Sequence, residues 1–202
     1  MINKFKKIND RSSLNYFHNL NKAFLNSLNN NIILDNPTII NANFKKTQDL
    51  INIIKMISYL YNERLKENSY GNCISENVFY YDILADHFRE NNLSIGFNMT
   101  VGNLYIEGKK AFFSSEEHYI SKIKKPNKTP QKEKIHCWLT LTTGDIIDFT
   151  ILTTDFISSN GKHGRKGDIL FGKPNQNGEL GRYTYQPIFF GSNYLKQSGL
   201  IL

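Results

Sequence analysis

The sequence predicts an α+β fold, with helices packed on an antiparallel β-sheet. Apolar residues recur at helical spacing from residue 13 to about residue 91. Beyond Asn91 and Asn92 the apolar residues alternate with polar ones, as they do in strands that bury one face. Helical segments followed by a set of strands, without an internal repeat, are the order typical of an α+β domain.

The composition is that of a folded protein with a hydrophobic core. The chain has 202 residues, of which 40% are hydrophobic, 13% aromatic and 21% charged, so it fits one domain with an N-terminal extension rather than a disordered chain. Its formal net charge of +7 favours acidic partners such as nucleic acid, anionic lipids or an acidic protein surface. The densest lysine group, residues 122–134, is however more typical of a solvated loop.

The cysteine content predicts a reduced protein without a metal site. Cys73 and Cys137 are too few for a disulfide framework and lack the spacing of metal ligands. We therefore expect no metal, no cofactor and a cytoplasmic location. The N-terminal residues lack the apolar segment of a secretory signal, and no run approaches the ~18 apolar residues of a membrane span, so we expect no membrane partner. The same features are compatible with export as an effector without a signal peptide.

Three helices are predicted before the sheet, over residues 13–29, 45–67 and 73–91. Asn36-Pro37 ends any helix between the first two. We therefore divide the chain into an N-terminal helical extension with its linker, residues 1–44, and a main domain, residues 45–202. The predicted apolar sides are Leu14, Phe17, Leu20, Phe24, Leu25 and Leu28 in the first helix, Leu50, Ile51, Ile54, Ile57, Tyr61 and Leu65 in the second, and Val78, Tyr81, Ile83, Leu84 and Phe88 in the third.

The rest of the chain is predicted to be mainly strand. Candidate turns are Gly102-Asn103 and Glu107-Gly108, and residues 114–134 are predicted to form a long basic connection with one short helical turn. The predicted strands are residues 93–106 and 109–113, a hairpin over 136–152, and a further strand over 183–191.

Cys73 is a candidate nucleophile because it lies where a turn meets a helix. Asn72 is a favourable residue to precede a helix. The unpaired N–H groups and the partial positive charge of a helix N-terminus stabilise a thiolate, and the same N–H groups can hold an oxyanion during acyl transfer. The alternative is a buried structural cysteine, which is our interpretation of Cys137, because the strand face of Cys137 is apolar.

The segment HCWLTLTTGDIIDFT, residues 136–150, places a His, a Trp and an Asp among apolar and β-branched residues. A three-residue loop over 142–144, with its glycine in the left-handed conformation, is the connection that this sequence favours. With that loop Trp138 lies opposite Asp148, and His136 is a diagonal neighbour of Asp148, ~7–8 Å away on the same face. Asp148 can then orient His136, with Trp138 covering both. The alternative is a hairpin that exposes His136 and Asp148 on its surface.

Three features, in this order, resemble the transglutaminase-like branch of the papain-like cysteine enzymes, a superfamily that includes the arylamine N-acetyltransferases. They are Gly71-Asn72-Cys73 at a helix start, His136-Cys137-Trp138 in a strand, and Gly144-Asp145-Ile146-Ile147-Asp148-Phe149-Thr150 in the next strand. The order Cys, His, Asp is that of the superfamily, and the resemblance covers about residues 70–152. It implies that residues 45–202 form a transglutaminase-like catalytic domain.

The resemblance also implies a role for each site residue. Cys73 would be the nucleophile that forms a thioester, His136 the acid and base, and Asp148 the residue that orients His136, while Trp138 would line the site. The substrate would be an amide, such as a glutamine carboxamide or a peptide, or a related small acyl compound. Water or an amine would accept the acyl group, giving hydrolysis, deamidation or transfer.

The chain departs from the family pattern in two respects. It has no evident counterpart of the oxyanion side chain, for which Asn72 and Asn68 are our candidates. It is also shorter than typical arylamine N-acetyltransferases and has no evident further domain for coenzyme A.

The second hypothesis comes from another class of protein, a catalytically inactive basic module that binds nucleic acid or an acidic protein. Residues 122–134 and the GKHGRKG loop, residues 161–167, would make the contacts, which salt would weaken. The sequence has no base-stacking motif of the RNA-recognition type, so nucleic acid is the less favoured partner.

Overall fold

The computed structural model describes residues 16–36, 55–56, 72–90, 95–126 and 133–201. Helices and an antiparallel sheet are both present, so the predicted α+β class is confirmed. The helices are α1 (Tyr16–Asn29), α2 (Cys73–Glu90), α3 (Glu116–Lys124), α4 (Ile151–Ser158) and α5 (Asn193–Gln197). The strands are β1 (Phe97–Ile106), β2 (Lys109–Phe112), β3 (His136–Leu141), β4 (Ile146–Asp148), β5 (Leu170–Gly172), β6 (Glu179–Leu180) and β7 (Tyr183–Phe190).

The chain divides into two compact units. Unit 1 contains the described parts of residues 1–35, 100–136 and 173–202, and unit 2 contains those of residues 36–99 and 137–172. The predicted boundary at residue 44 lies outside the described residues, and so does the predicted helix over 45–67 except for Lys55 and Met56, which are helical.

In unit 1, β7 pairs antiparallel with β1 and with β6, and β1 also pairs with β2. The predicted turn at Glu107-Gly108 is confirmed, because both residues have positive φ, 50° and 74°, and Ile106 pairs with Lys109 across it. The predicted turn at Gly102-Asn103 is wrong. Strand β1 continues through these residues, and its register against β7 shifts between Val101 and Gly102 instead.

Helix α1 packs against β7 with a face that the apolar pattern indicated only in part, since the predicted Leu20 is fully buried and the predicted Leu14 lies outside the described residues. Ala23 and Ser27 are fully buried, whereas Leu25 and Leu28, which were predicted on the apolar side, are 55% and 49% exposed. The Ser27 hydroxyl donates to the Phe190 carbonyl at 2.9 Å and accepts from the Phe190 N–H at 2.8 Å. Ser27 thus satisfies the backbone of Phe190 as a neighbouring strand would, and this requires a close approach that only small residues allow.

Unit 2 contains β4 and β5 with β3 from Cys137 onward, paired antiparallel in the order β3, β4, β5, together with α2 and α4. Helix α2 confirms the third predicted helix. Of its predicted apolar side, Leu84 and Phe88 are buried, whereas Val78, Tyr81 and Ile83 are half-buried. The buried side also includes Tyr80, whose ring stacks on Phe149 with 4.2 Å between centroids.

Helices α3 and α4 differ from what the sequence predicted for their residues. Helix α3 has 9 residues where one short turn was expected, and the Ser115 hydroxyl caps it by accepting the His118 N–H at 3.3 Å. Helix α4 begins at Ile151, although the predicted hairpin extended to residue 152. Strand β4 ends at Asp148 because the Asp148 carboxylate accepts the N–H groups that begin α4.

Tyr194 makes unit 1 sensitive to alkaline pH. Its side chain is buried, its ring stacks on Phe189 at 4.8 Å, and its hydroxyl donates to the Tyr119 carbonyl at 3.2 Å. Burial, with the negative charge of Glu133 as a smaller cause, raises the pKa of Tyr194 far above its ordinary value. Because the unfolded chain ionises this hydroxyl first, the stability that it contributes is fully present below about pH 10 and is lost as the pH rises above that value.

We therefore expect the free energy of unfolding to fall more steeply in wild type than in Tyr194→Phe between about pH 9 and about pH 11. Urea unfolding of both proteins at several pH values measures the two slopes. The other tyrosines titrate equally in both proteins, so equal slopes would contradict the expectation.

Candidate functional site

Cys73 is the first residue of α2, as predicted, and is 9% exposed. The carbonyl of Asn72 accepts the Glu76 N–H at 3.0 Å, which is the first hydrogen bond of a helix that begins at the next residue. The N–H groups of the first turn, including that of Cys73, have no acceptor within the helix itself. Cys73 therefore lies at the helix position from which the sequence analysis predicted a nucleophile, and that role remains a prediction.

The side chain of Asn77 fixes this helix end to the hairpin strand. Its amide nitrogen donates to the Cys73 carbonyl at 2.7 Å and to the Cys137 carbonyl at 2.9 Å, and the residue is fully buried. If the Asn77 amide were flipped, its oxygen would face the two carbonyl oxygens, which are also acceptors. The two carbonyls therefore determine which way the amide is oriented. Both bonds lie within unit 2, and the second ends at Cys137, the residue that directly follows His136 in the sequence.

The hairpin has the register that the sequence predicted. Leu139 pairs with Ile147, and the Leu141 N–H donates to the Asp145 carbonyl at 2.8 Å, leaving a three-residue loop over 142–144. The glycine of this loop has φ 82° and donates its N–H to the Leu141 carbonyl, as expected for a type I turn followed by a left-handed residue. The two observed pairs, Leu139 with Ile147 and Thr140 with Ile146, have the register from which the sequence analysis placed Trp138 opposite Asp148.

Asp148 has a structural role that sequence reasoning missed. Its Oδ1 accepts the Thr150 N–H at 3.0 Å, the Thr150 hydroxyl at 3.2 Å and the Ile151 N–H at 3.1 Å. The carboxylate therefore holds the start of α4, which no side-chain bond from the N-cap residue itself does. The same three donors fix the orientation of the carboxylate.

The alternative of an exposed His and Asp is wrong, because His136 and Asp148 are both 0% exposed. In unit 1 the His136 ring stacks on Phe112 at 5.0 Å between centroids and lies 6.4 Å from the Tyr185 ring. In unit 2 Trp138 is fully buried and its indole N–H donates to the Thr140 hydroxyl at 3.1 Å, which confirms that these two side chains share a strand face.

The predicted site residues are therefore distributed over both units. Cys73, Trp138 and Asp148 belong to unit 2, and His136 belongs to unit 1. The assembly of Cys73, His136 and Asp148 into a triad remains a prediction. Of the two oxyanion candidates, Asn72 is exposed beside Cys73, and the remaining one, Asn68, lies outside the described residues. Cys137 is fully buried beside Met99, as expected for core packing.

Comparisons with protein-family models, with curated proteins and with solved structures gave no match. Within the ranges that the structure describes, no group of three or more His, Cys, Asp or Glu side chains could hold a metal ion. None of the helices described is long and apolar enough to cross a membrane.

Asn77 was not among the sequence candidates, although its position carried a signal. It lies four residues after Cys73, so the two share a helix face, and a polar residue on a buried helix face needs a partner. We expect Asn77→Asp to lower the free energy of unfolding by about 2–4 kcal/mol near neutral pH, because it buries a charged acceptor against two carbonyls.

Urea unfolding measures this loss, with Asn177→Asp in an exposed turn as the matched control, for which we expect a change of less than about 0.5 kcal/mol. Equal denaturation midpoints for Asn77→Asp and wild type would show that the amide does not hold the helix to the strand.

Proposed function

We propose that this protein is a cysteine-dependent acyl-transfer enzyme with Cys73 as nucleophile, His136 as acid and base, and Asp148 as the residue that orients His136. The observation that carries the proposal is the bridge through Asn77. The Asn77 amide joins the helix end that carries Cys73 to the carbonyl of Cys137. Cys137 is the residue next to His136 in the sequence.

The burial of the three side chains supports the proposal. His136 and Asp148 are fully buried and Cys73 is nearly so, and charges that are kept away from water interact strongly. In the proposed triad a thiolate, an imidazolium and a carboxylate would have complementary charges, so each would stabilise the charged form of the next. Surface residues of the same types would have given little support.

The reaction would proceed in two balanced steps. The Cys73 thiolate attacks the carbonyl carbon of an amide, a sulfur–carbon bond forms, and helix N–H groups hold the oxyanion. The carbon–nitrogen bond then breaks, and the His136 imidazolium gives its proton to the leaving amine. In the second step, water or an amine attacks the thioester while His136 removes its proton, and the Cys73 thiolate is released.

The substrate class follows from the nucleophile rather than from a described pocket. A thioester intermediate is formed from a glutamine carboxamide, a peptide bond or an activated acyl group, so deamidation, proteolysis and transfer to an amine share this first step. The transglutaminase-like resemblance favours the glutamine carboxamide or the peptide as substrate. None of these steps uses a metal or a cofactor.

The alternative of a basic binding module receives less support, because part of its charge is neutralised. Lys122 forms an ion pair with Glu133. In the GKHGRKG loop the Nε of Arg165 lies 3.6 Å from the Oδ2 of Asp168. Positive charges that have acidic partners contribute less to the binding of phosphates.

The first test of the proposal is the reactivity of Cys73. The variant Cys137→Ala removes the buried second thiol without burying a hydroxyl, so Cys73 is the only thiol left. We expect iodoacetamide to alkylate Cys73 rapidly in this variant at about pH 6, because a thiolate is the reacting form. Adding His136→Ala should slow alkylation at this pH by at least about tenfold, since the imidazolium no longer stabilises the thiolate.

Alkylation of the same variants in urea supplies the rate of an unstructured thiol, and circular dichroism shows whether both are folded. Two results together would refute the thiolate–imidazolium pair. The alkylation rate of the folded protein would rise with pH as the rate in urea does, and it would be unchanged by the loss of His136.

The second test separates the charge of Asp148 from its role in beginning α4. Asp148→Asn keeps an oxygen that can accept the Thr150 and Ile151 N–H groups but removes the negative charge, so we expect a folded protein. Release of p-nitrophenol from p-nitrophenyl acetate should fall about a hundredfold, because the imidazolium loses its partner.

Asp145→Asn is the matched control, because Asp145 lies in the same hairpin and accepts the Thr143 hydroxyl at 2.5 Å. We expect Cys73→Ala to abolish acylation and Asp145→Asn to leave it unchanged. Equal losses in Asp145→Asn and Asp148→Asn would mean that the hairpin, not the Asp148 charge, is responsible.

A further inference from the structure

Unit 1 contains a cavity of about 420 Å³ that has no part in the proposed acyl transfer. Its volume lies within the range of small-molecule sites, about 300–1,000 Å³. Its described lining comes from α1, from strands β1, β6 and β7, and from the loops beside them, and includes Asn19, Tyr105, Glu179, Thr184 and Gln186. We call it the unit 1 cavity.

The strand registers explain why polar side chains meet at this cavity. Thr184 of β7 pairs with Tyr105 of β1 on one side and with Glu179 of β6 on the other. Paired residues of neighbouring strands point to the same face, so Tyr105, Thr184 and Glu179 form one row across the sheet. Gln186, two residues after Thr184, lies on the same face of β7. The sequence shows these residues as unrelated polar positions, and only the pairing brings them together.

Two of these side chains are held in place before any ligand binds. The Gln186 Oε1 accepts from Asn103 at 3.2 Å and from the Tyr105 hydroxyl at 3.3 Å, which leaves its amide nitrogen as a donor for a ligand. Glu179 accepts the Asn175 amide at 2.8 Å. Polar groups that are fixed in advance lose little entropy when they bind a ligand.

Asn19 adds a further polar side chain to the unit 1 cavity. The residue is 8% exposed and lines the cavity, and among the described residues its amide is not one of the buried polar groups that lack a hydrogen-bond partner. An amide that is accessible from a cavity can bond to water, or to a ligand that displaces the water. Asn19 can offer both a donor and an acceptor to a molecule in the cavity.

We propose that the unit 1 cavity binds a neutral saccharide. The amides of Asn19 and Gln186 and the hydroxyl of Thr184 can each bond to sugar hydroxyls, which donate and accept at once. The half-buried ring of Tyr105 provides an apolar surface for the C–H face of a sugar. The described lining residues include no lysine or arginine, so none of them offers a cation to a phosphate or a carboxylate.

The proposal is tested first by saturation-transfer difference NMR on the full chain. The probes are D-glucose, D-galactose, D-mannose, N-acetyl-D-glucosamine and maltose, and we expect at least one of them to bind. Asn19→Leu and Thr184→Val should each weaken the binding of that sugar about tenfold, because each removes one hydrogen-bonding group from the cavity. Gln197→Ala on α5, away from the cavity, is the control and should bind as wild type does.

Thermal unfolding of Asn19→Leu distinguishes a binding role from a structural one. Leucine is close to asparagine in size, favours helix and needs no hydrogen bonds, so the melting temperature should equal or exceed that of wild type while binding is lost. If Asn19→Leu fails to fold, Thr184→Val at a half-exposed strand position still decides the question.

Three results would overturn the proposal. The first is that none of the five sugars binds to wild type. The second is that sugar binding is unchanged in both Asn19→Leu and Thr184→Val. The third is that spermidine binds in place of sugars and is lost in Glu179→Gln, which would assign the cavity to a cation. None of these results depends on the reactivity of Cys73, so acyl transfer can fail while sugar binding holds, and the reverse.

Discussion

The amide of Asn77 is the constraint on which the arrangement of unit 2 depends. A helix and a strand that pack only through apolar side chains can slide or rotate with little loss of burial, because hydrophobic attraction is not directional. Two hydrogen bonds from one fully buried nitrogen, to Cys73 and to Cys137, remove that freedom. Stacking of Tyr80 on Phe149 adds contact area along the same helix face. The helix end therefore has one position relative to the strand.

Asp148 shows how one side chain can serve both the fold and the proposed chemistry. Its Oδ1 accepts three hydrogen bonds that end β4 and begin α4, and this explains a conversion from strand to helix within three residues. A carboxylate that is already immobilised in this way is also a suitable partner for an imidazolium, because nothing further has to be ordered. The structural role and the proposed role therefore reinforce each other.

The parts of the fold that local rules determine could be predicted from the sequence. The start of α2 at Cys73 follows from Asn72, a favourable residue to precede a helix, and the hairpin register follows from the left-handed conformation of Gly144, φ 82°. The buried face of α1 could be predicted only for Leu20, because the contact of Ser27 with β7 outweighs the burial of Leu25 and Leu28. Asn77 and the unit 1 cavity depend on pairs that are distant in the sequence, which periodicity does not reveal.

Asn77 and Asn19 show two different environments for a buried asparagine. The amide nitrogen of Asn77 donates to the Cys73 and Cys137 carbonyls, while its Oδ1 has no hydrogen-bond partner in the part of the chain that the structure describes. The fold accepts the cost of that oxygen because the nitrogen holds a helix to a strand. Asn19 instead lines the unit 1 cavity, where its amide can exchange water for the hydroxyl groups of a ligand. The surroundings of each amide therefore determine its role: the two carbonyls fix Asn77, whereas Asn19 is available to a molecule in the cavity.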